Sequence, residues 1–206
     1  MLIAERVLLI ACEPLSGEFL WPRAQPSAQL IVAAAVACEL VTMGRLVLRD
    51  GLFRTDTQIP TSHPLLNATL QQLSHGRFDP AALLRAIANR MDPIVTRILD
   101  GLFRRDILHR TSKRDWLLRK HLRYPVRSMQ ARNEAVAALH GAAAGGEDLN
   151  ALALLVLSEA SGLMEKTLNS SEIDGARKRI LVLNNVTSQS SEPLRGLANI
   201  RSALLS

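Results

Sequence analysis

Apolar residues recur at helical spacing along most of the chain, and glycine or proline interrupts them at intervals. Leu2 to Ala11 is apolar except for Glu5 and Arg6, which fall on one side of a helix, and it gives way to a turn at Glu13-Pro14-Leu15-Ser16-Gly17. Ser27, a favourable N-cap, precedes a long apolar segment from Leu30 to Leu48 with Gly44 as its stop signal. A short strand follows at Leu46 to Leu48, turning at Arg49-Asp50-Gly51 because Asp-Gly accepts the positive φ of a tight hairpin. Leu65 to Leu73 predicts a short helix. Asp79-Pro80 and Asp92-Pro93 each open a further helix. In the second of these Ile94, Ile98, Leu99 and Leu102 point inward and leave Arg97, Arg104 and Arg105 to a polar face, with Arg90 beside them. Helices are also predicted over Ala131 to His140, Asn150 to Leu168, Ser171 to Leu183 and Pro193 to Leu205, with Gly141 to Gly146 as a loop. The expectation is a mainly α fold: a single compact helical domain over residues 1–206, carrying short β-hairpins.

The helical period breaks between Ile107 and Val126. Ile107-Leu108, a polar run through Arg110-Thr111-Ser112-Lys113-Arg114, then Trp116-Leu117-Leu118 and Tyr124-Pro125 predict a hairpin projecting after a helix. Charge sharpens this reading. Arg104 to Arg132 holds ten of the 25 Lys and Arg residues and only two acids, Asp106 and Asp115, so it carries +8 while the rest of the chain sums to −2. The net +6 is therefore a local patch. Within it lies Trp116, one of two Trp residues in a chain that is 3% aromatic. An apolar wedge of Trp116, Leu117 and Leu118 ringed by Lys113, Arg114, Arg119, Lys120 and Arg123 suits an anionic membrane interface, where cations meet phosphates and the wedge meets hydrocarbon. Two other readings stay open. The triplet also fits a core strand, and a helix followed by a basic hairpin also fits a winged-helix nucleic-acid binder.

Composition narrows the classes. A chain of 206 residues that is 48% hydrophobic has enough apolar material for a substantial core. Cys12 and Cys38 lie in or beside apolar runs and read as buried free thiols of a reducing cytosol. Glu5 and Arg6 interrupt the opening run too early for a signal peptide. The longest apolar runs, Leu30 to Cys38 and Ala151 to Leu157, are shorter than the ~18 residues needed to cross a bilayer, so membrane contact is expected to be peripheral. His63, His75, His109, His121 and His140 show no metal-ligand spacing, and no nucleophile elbow, phosphate loop or dinucleotide motif occurs. No catalysis, cofactor or metal is predicted. Glu39 and Arg45 read as structural polar groups, and Arg177-Lys178-Arg179 as a solvated helix face.

Several motifs in order resemble the Golgi phosphoprotein 3 family, which includes bacterial members. They are Leu2-Ile3-Ala4-Glu5-Arg6-Val7-Leu8-Leu9, the Glu39-Leu40 pair followed by Gly44-Arg45-Leu46, Pro60 to Ala68 with its double leucine, Ile98 to Leu108, Tyr124-Pro125, Leu152 to Leu157 and Arg177 to Ile180. The resemblance implies a mostly helical domain that binds phosphatidylinositol 4-phosphate, inserts an apolar hairpin into the cytoplasmic face of a membrane and self-associates, so anionic lipid and a homo-oligomer are the expected partners. It places the inserting hairpin at His109 to Arg123. It implies a head-group pocket of one Trp and three Arg residues; Trp21 lies near the family's Trp, the first Arg position falls at Ala33, and the other two fall near Asp92 and Val95. Arg23, Arg90 and Arg97 are the nearby cations that would substitute for them.

Overall fold

The computed structural model describes residues 1–21, 26–55, 59–114, 120–145 and 148–206, the side chains of Lys113, Arg114, Lys120 and His121 excepted. In chain order the described elements are α1 (Ile3–Ala11), α2 (Ala28–Thr42), β1 (Leu46–Arg49), β2 (Leu52–Thr55), α3 (Pro64–Leu73), α4 (Pro80–Arg90), α5 (Ile94–Arg104), β3 (Thr111–Arg114) and β4 (Lys120–Arg123). Then follow α6 (Met129–Ala144), α7 (Leu149–Ser161), α8 (Leu163–Thr167), α9 (Ser170–Ile180), a 3-10 turn at Leu181–Asn185, and α10 (Glu192–Leu205). Each strand pair is an antiparallel hairpin.

The arrangement follows from α2. Ile31 to Cys38 is buried throughout, and a helix apolar on every face is stable only when enclosed. α1, α4, α5, α7 and α10 enclose it. Ala33, Ala34, Ala35 and Ala37 are all 0% exposed, and these small side chains allow close approach. At Gly196 the approach leaves no room for a side chain, since a Cβ there would lie 2.7 Å from Val41 Cγ1. Ser27 caps α2 through Leu30 N–H, and Asp79 caps α4 through Ala82 N–H. The Asp50-Gly51 turn has positive φ at both residues, which sets Leu46 opposite Thr55 and Leu48 opposite Phe53.

Four expectations change. Gly141 to Ala144 is helix and not loop, because the buried stripe of Ala135 and Leu139 continues to Ala142 and Ala143 before Gly145 ends α6. The helix predicted over Asn150 to Leu168 is two, broken where Gly162 turns left-handed at φ 77°. Asp92 does not cap α5, which starts at Ile94 with no side-chain cap; its Oδ1 accepts from Gln29 Nε2 at 3.0 Å. Arg179 is not simply solvated, because its guanidinium donates to the Ala142 carbonyl and ties α9 to α6. Glu39 is structural as expected: Oε2 accepts from Ile3 N–H at 2.7 Å and holds α1 to α2.

Candidate functional site

The basic hairpin is laid out by its ladder. Thr111 pairs with Arg123, Ser112 with Leu122, Lys113 with His121 and Arg114 with Lys120. β3 and β4 pack mainly on each other, and Thr111, Ser112 and Leu122 are exposed, Leu122 by 53%. The last described rung therefore joins two cationic residues, and the residues between them in sequence are Asp115-Trp116-Leu117-Leu118-Arg119. Trp116, Leu117, Leu118 and Arg119 lie outside the described residues, as do the side chains of Lys113, Arg114 and Lys120.

The base of the hairpin is stapled to the body. Leu108 bridges Val126, His109 N–H donates to Pro125 O at 2.7 Å, and Tyr124 N–H donates to Gly17 O at 3.2 Å. Val126 N–H donates to Pro14 O at 2.9 Å, and the Cys12 thiol donates to Tyr124 O at 3.3 Å. Arg123 pairs with Glu18. The loop that follows α1 is thus the seat of the hairpin. Burial pushes the Cys12 thiol up to about 11 and raises the Tyr124 hydroxyl, so both stay neutral near pH 7. Their role here is to hold backbone. Apolar side chains are exposed on this seat, with Leu15 at 89% and Leu20 at 39%.

Acids from elsewhere in the fold temper the patch. Arg105 pairs with Glu5, Arg110 with Asp100 at 3.6 Å and Arg123 with Glu18. These three acids lie outside the Arg104 to Arg132 segment, so subtracting them from +8 leaves +5. Arg127 pairs with Asp106 at 2.7 Å inside the segment. The sequence carries no local signal of these pairings beyond the lone Glu5 in an apolar run.

Three of the four head-group candidates, Trp21, Arg90 and Arg97, fall on described residues. Trp21 is half-buried and packs on the core. Arg90 is exposed, donates to Gln72 O at 2.5 Å and lies over the Phe78 ring at 5.5 Å. Arg97 lines a cavity with Arg104, Arg105 and His63; neither Trp21 nor Arg90 is among the lining residues. Arg23 lies outside the described residues. Of the residues at or near which the resemblance expects arginines, Ala33 is fully buried, Asp92 carries a carboxylate engaged by Gln29, and Val95 packs partly buried on the core.

A mainly helical domain presenting a stapled, basic β-hairpin is the class these features define. The chain belongs to the Golgi phosphoprotein 3 (GPP34) family, whose model matches residues 3–198. No curated protein matches it in a sequence comparison. Among the described residues, no helix is long and apolar enough to cross a membrane.

Proposed function

We propose that the protein is a peripheral membrane protein that binds anionic phospholipid, with phosphatidylinositol 4-phosphate as the head group that its family suggests. The observation that carries the reading is the cationic rung of Arg114 and Lys120, with Trp116-Leu117-Leu118 in the sequence between its two residues. Each Lys or Arg near an anionic surface contributes about 1 kcal/mol, and this attraction is screened over ~8 Å at physiological salt. Shallow burial of the wedge adds an apolar contribution that salt does not screen. Exposed Leu15, Leu20 and Leu122 near the hairpin base offer more apolar surface to the same interface.

Vesicle flotation tests this. The protein should float with vesicles of phosphatidylcholine containing phosphatidylinositol 4-phosphate or phosphatidylserine, and release as salt rises. Equal flotation with pure phosphatidylcholine would remove the electrostatic reading. A parallel titration with duplex DNA separates the nucleic-acid alternative, because phosphate-backbone binding needs the cations and not Trp116.

A further inference from the structure

On the side of α5 that carries Arg97, four residues recur at helical spacing: Arg97, Gly101, Arg104 and Arg105. Opposite them stand His63, Pro64, Leu65 and Ala68 from the start of α3, and the space between is a cavity of about 520 Å³. That volume falls within the ~300 to 1,000 Å³ of ordinary ligand sites.

Two of the three cations of this cavity are available, and the third, Arg105, is engaged by Glu5 and donates to Gly101 O at 3.3 Å. The side chains of Arg97 and Arg104 have no ion-pair or hydrogen-bond partner among the described residues. The acids on and just beyond α5 are engaged elsewhere, Asp100 by Arg110 at 3.6 Å and Asp106 by Arg127 at 2.7 Å. Arg105 is positioned by Glu5, a carboxylate only 3% exposed that also accepts from Leu2 N–H at 3.0 Å. Three guanidiniums and one buried carboxylate leave a local charge of +2. The positive end of the ten-residue helix α3 opens at the same place. Gly101 keeps the middle clear, because a Cβ there would meet nothing within 4 Å. A glycine inside a helix costs roughly 0.5 to 1 kcal/mol relative to alanine, so packing and propensity give no reason for it, whereas an open cavity does.

We propose that this cavity is a binding site for a phosphomonoester: the dianionic phosphate sits between Arg97, Arg104 and Arg105, and the organic part lies on the wall of Pro64, Leu65 and Ala68. A phosphate of about −1.5 to −2 charge matches the +2 of the site, and guanidinium groups hold such oxygens in pairs. The site is independent of the hairpin, none of whose described residues lines the cavity. A lipid head group and a soluble phosphate ester share this chemistry.

Calorimetric titration of the intact protein tests it with two probes, glycerol 3-phosphate and a water-soluble phosphatidic acid with four-carbon chains. Saturable binding of either probe at one site is expected. Preference for the lipid identifies a head-group site, and equal affinities identify a soluble ester. Arg97→Gln with Arg104→Gln should weaken binding at least tenfold. Gly101→Leu should do the same by filling the space while leaving the melting temperature no lower than native. Trp116→Ala with Leu117→Ala should leave binding by these monomeric probes unchanged, so failure of the hairpin reading does not touch this one. Absence of binding by both probes, or binding that survives both the arginine and the glycine substitutions, would overturn the proposal.

Discussion

Gly17 sits directly against Pro125: a Cβ on Gly17 would lie 2.3 Å from the Pro125 nitrogen and 2.5 Å from the Tyr124 backbone. The same glycine has φ 66°, which a side chain disfavours by roughly 1 to 2 kcal/mol. Gly17→Ala should therefore combine strain and collision, and we expect a loss of at least about 2 kcal/mol, or some 4 to 8 °C in melting temperature for a chain of this size. Gly44→Ala is the control, because Gly44 has the same φ of 66° with nothing within 4 Å of its Cβ position. A thermal melt of both variants checks it. Equal losses would mean that the Tyr124-Pro125 contact adds nothing.

The wedge and the charge of the hairpin are separable. Transferring Trp or Leu side chains to an interface stabilises by ~1.5 to 3 kcal/mol each as an upper range, and ~1.4 kcal/mol is tenfold in affinity. Trp116→Ala with Leu117→Ala should weaken vesicle binding at least tenfold and leave the melting temperature nearly unchanged. Truncating a buried Trp instead costs ~3 to 5 kcal/mol of stability. A collapsed melt would thus assign Trp116 to the core.

At α2 the expected effect is purely steric. Ala35 is 0% exposed within the stretch of α2 that is buried throughout, Ile31 to Cys38, so Ala35→Leu must force its extra bulk into a packed core. Overpacking of this kind costs ~1 to 3 kcal/mol, read as a fall in denaturant midpoint. A midpoint at or above native would show that the helices around α2 yield more readily than their packing suggests.

Acid should act through His63. Burial, the largest influence, holds its imidazole below the ordinary value, and neutral Nδ1 accepts Leu65 N–H at 3.3 Å to cap α3. Between the lowered folded value and the unfolded value of ~6.5 the unfolded chain binds more protons, so stability rises with pH there and is lost as pH falls. Melting temperature should decline below pH ~6.5. His63→Asn keeps a capping acceptor without this titration and should flatten that part of the profile. An unchanged slope in the variant would clear His63 of the effect.

Much of the helical frame is legible in the sequence because its signals are local. Ser27 and Asp79 cap the helices they precede, and Asp50-Gly51 makes the turn it specifies. Glycine is the ambiguous letter: Gly141 lies inside α6 while Gly162 breaks α7 from α8, and the difference is in the backbone, helical at the first and left-handed with φ 77° at the second, since buried residues follow both. The site is less legible because its electrostatics are long-range. Arg105 meets Glu5 across 100 positions and Arg110 turns back to Asp100, pairings that no periodicity encodes. The arginines at 97, 104 and 105 are visible as a helix face, but the space in front of them depends on where α3 comes to rest.

The seat of the hairpin has a consequence for how such a molecule changes over generations. Its fastenings at Gly17, Cys12, Pro14 and Glu18 grip residues 123 to 126, largely through backbone atoms, and the ladder carries its own hydrogen bonds out to Arg114 and Lys120. Sequence beyond that rung can drift without disturbing the handle that holds it. Descendants can thus acquire a new taste in surfaces by rewriting five letters, Asp115 to Arg119, while inheriting the frame intact.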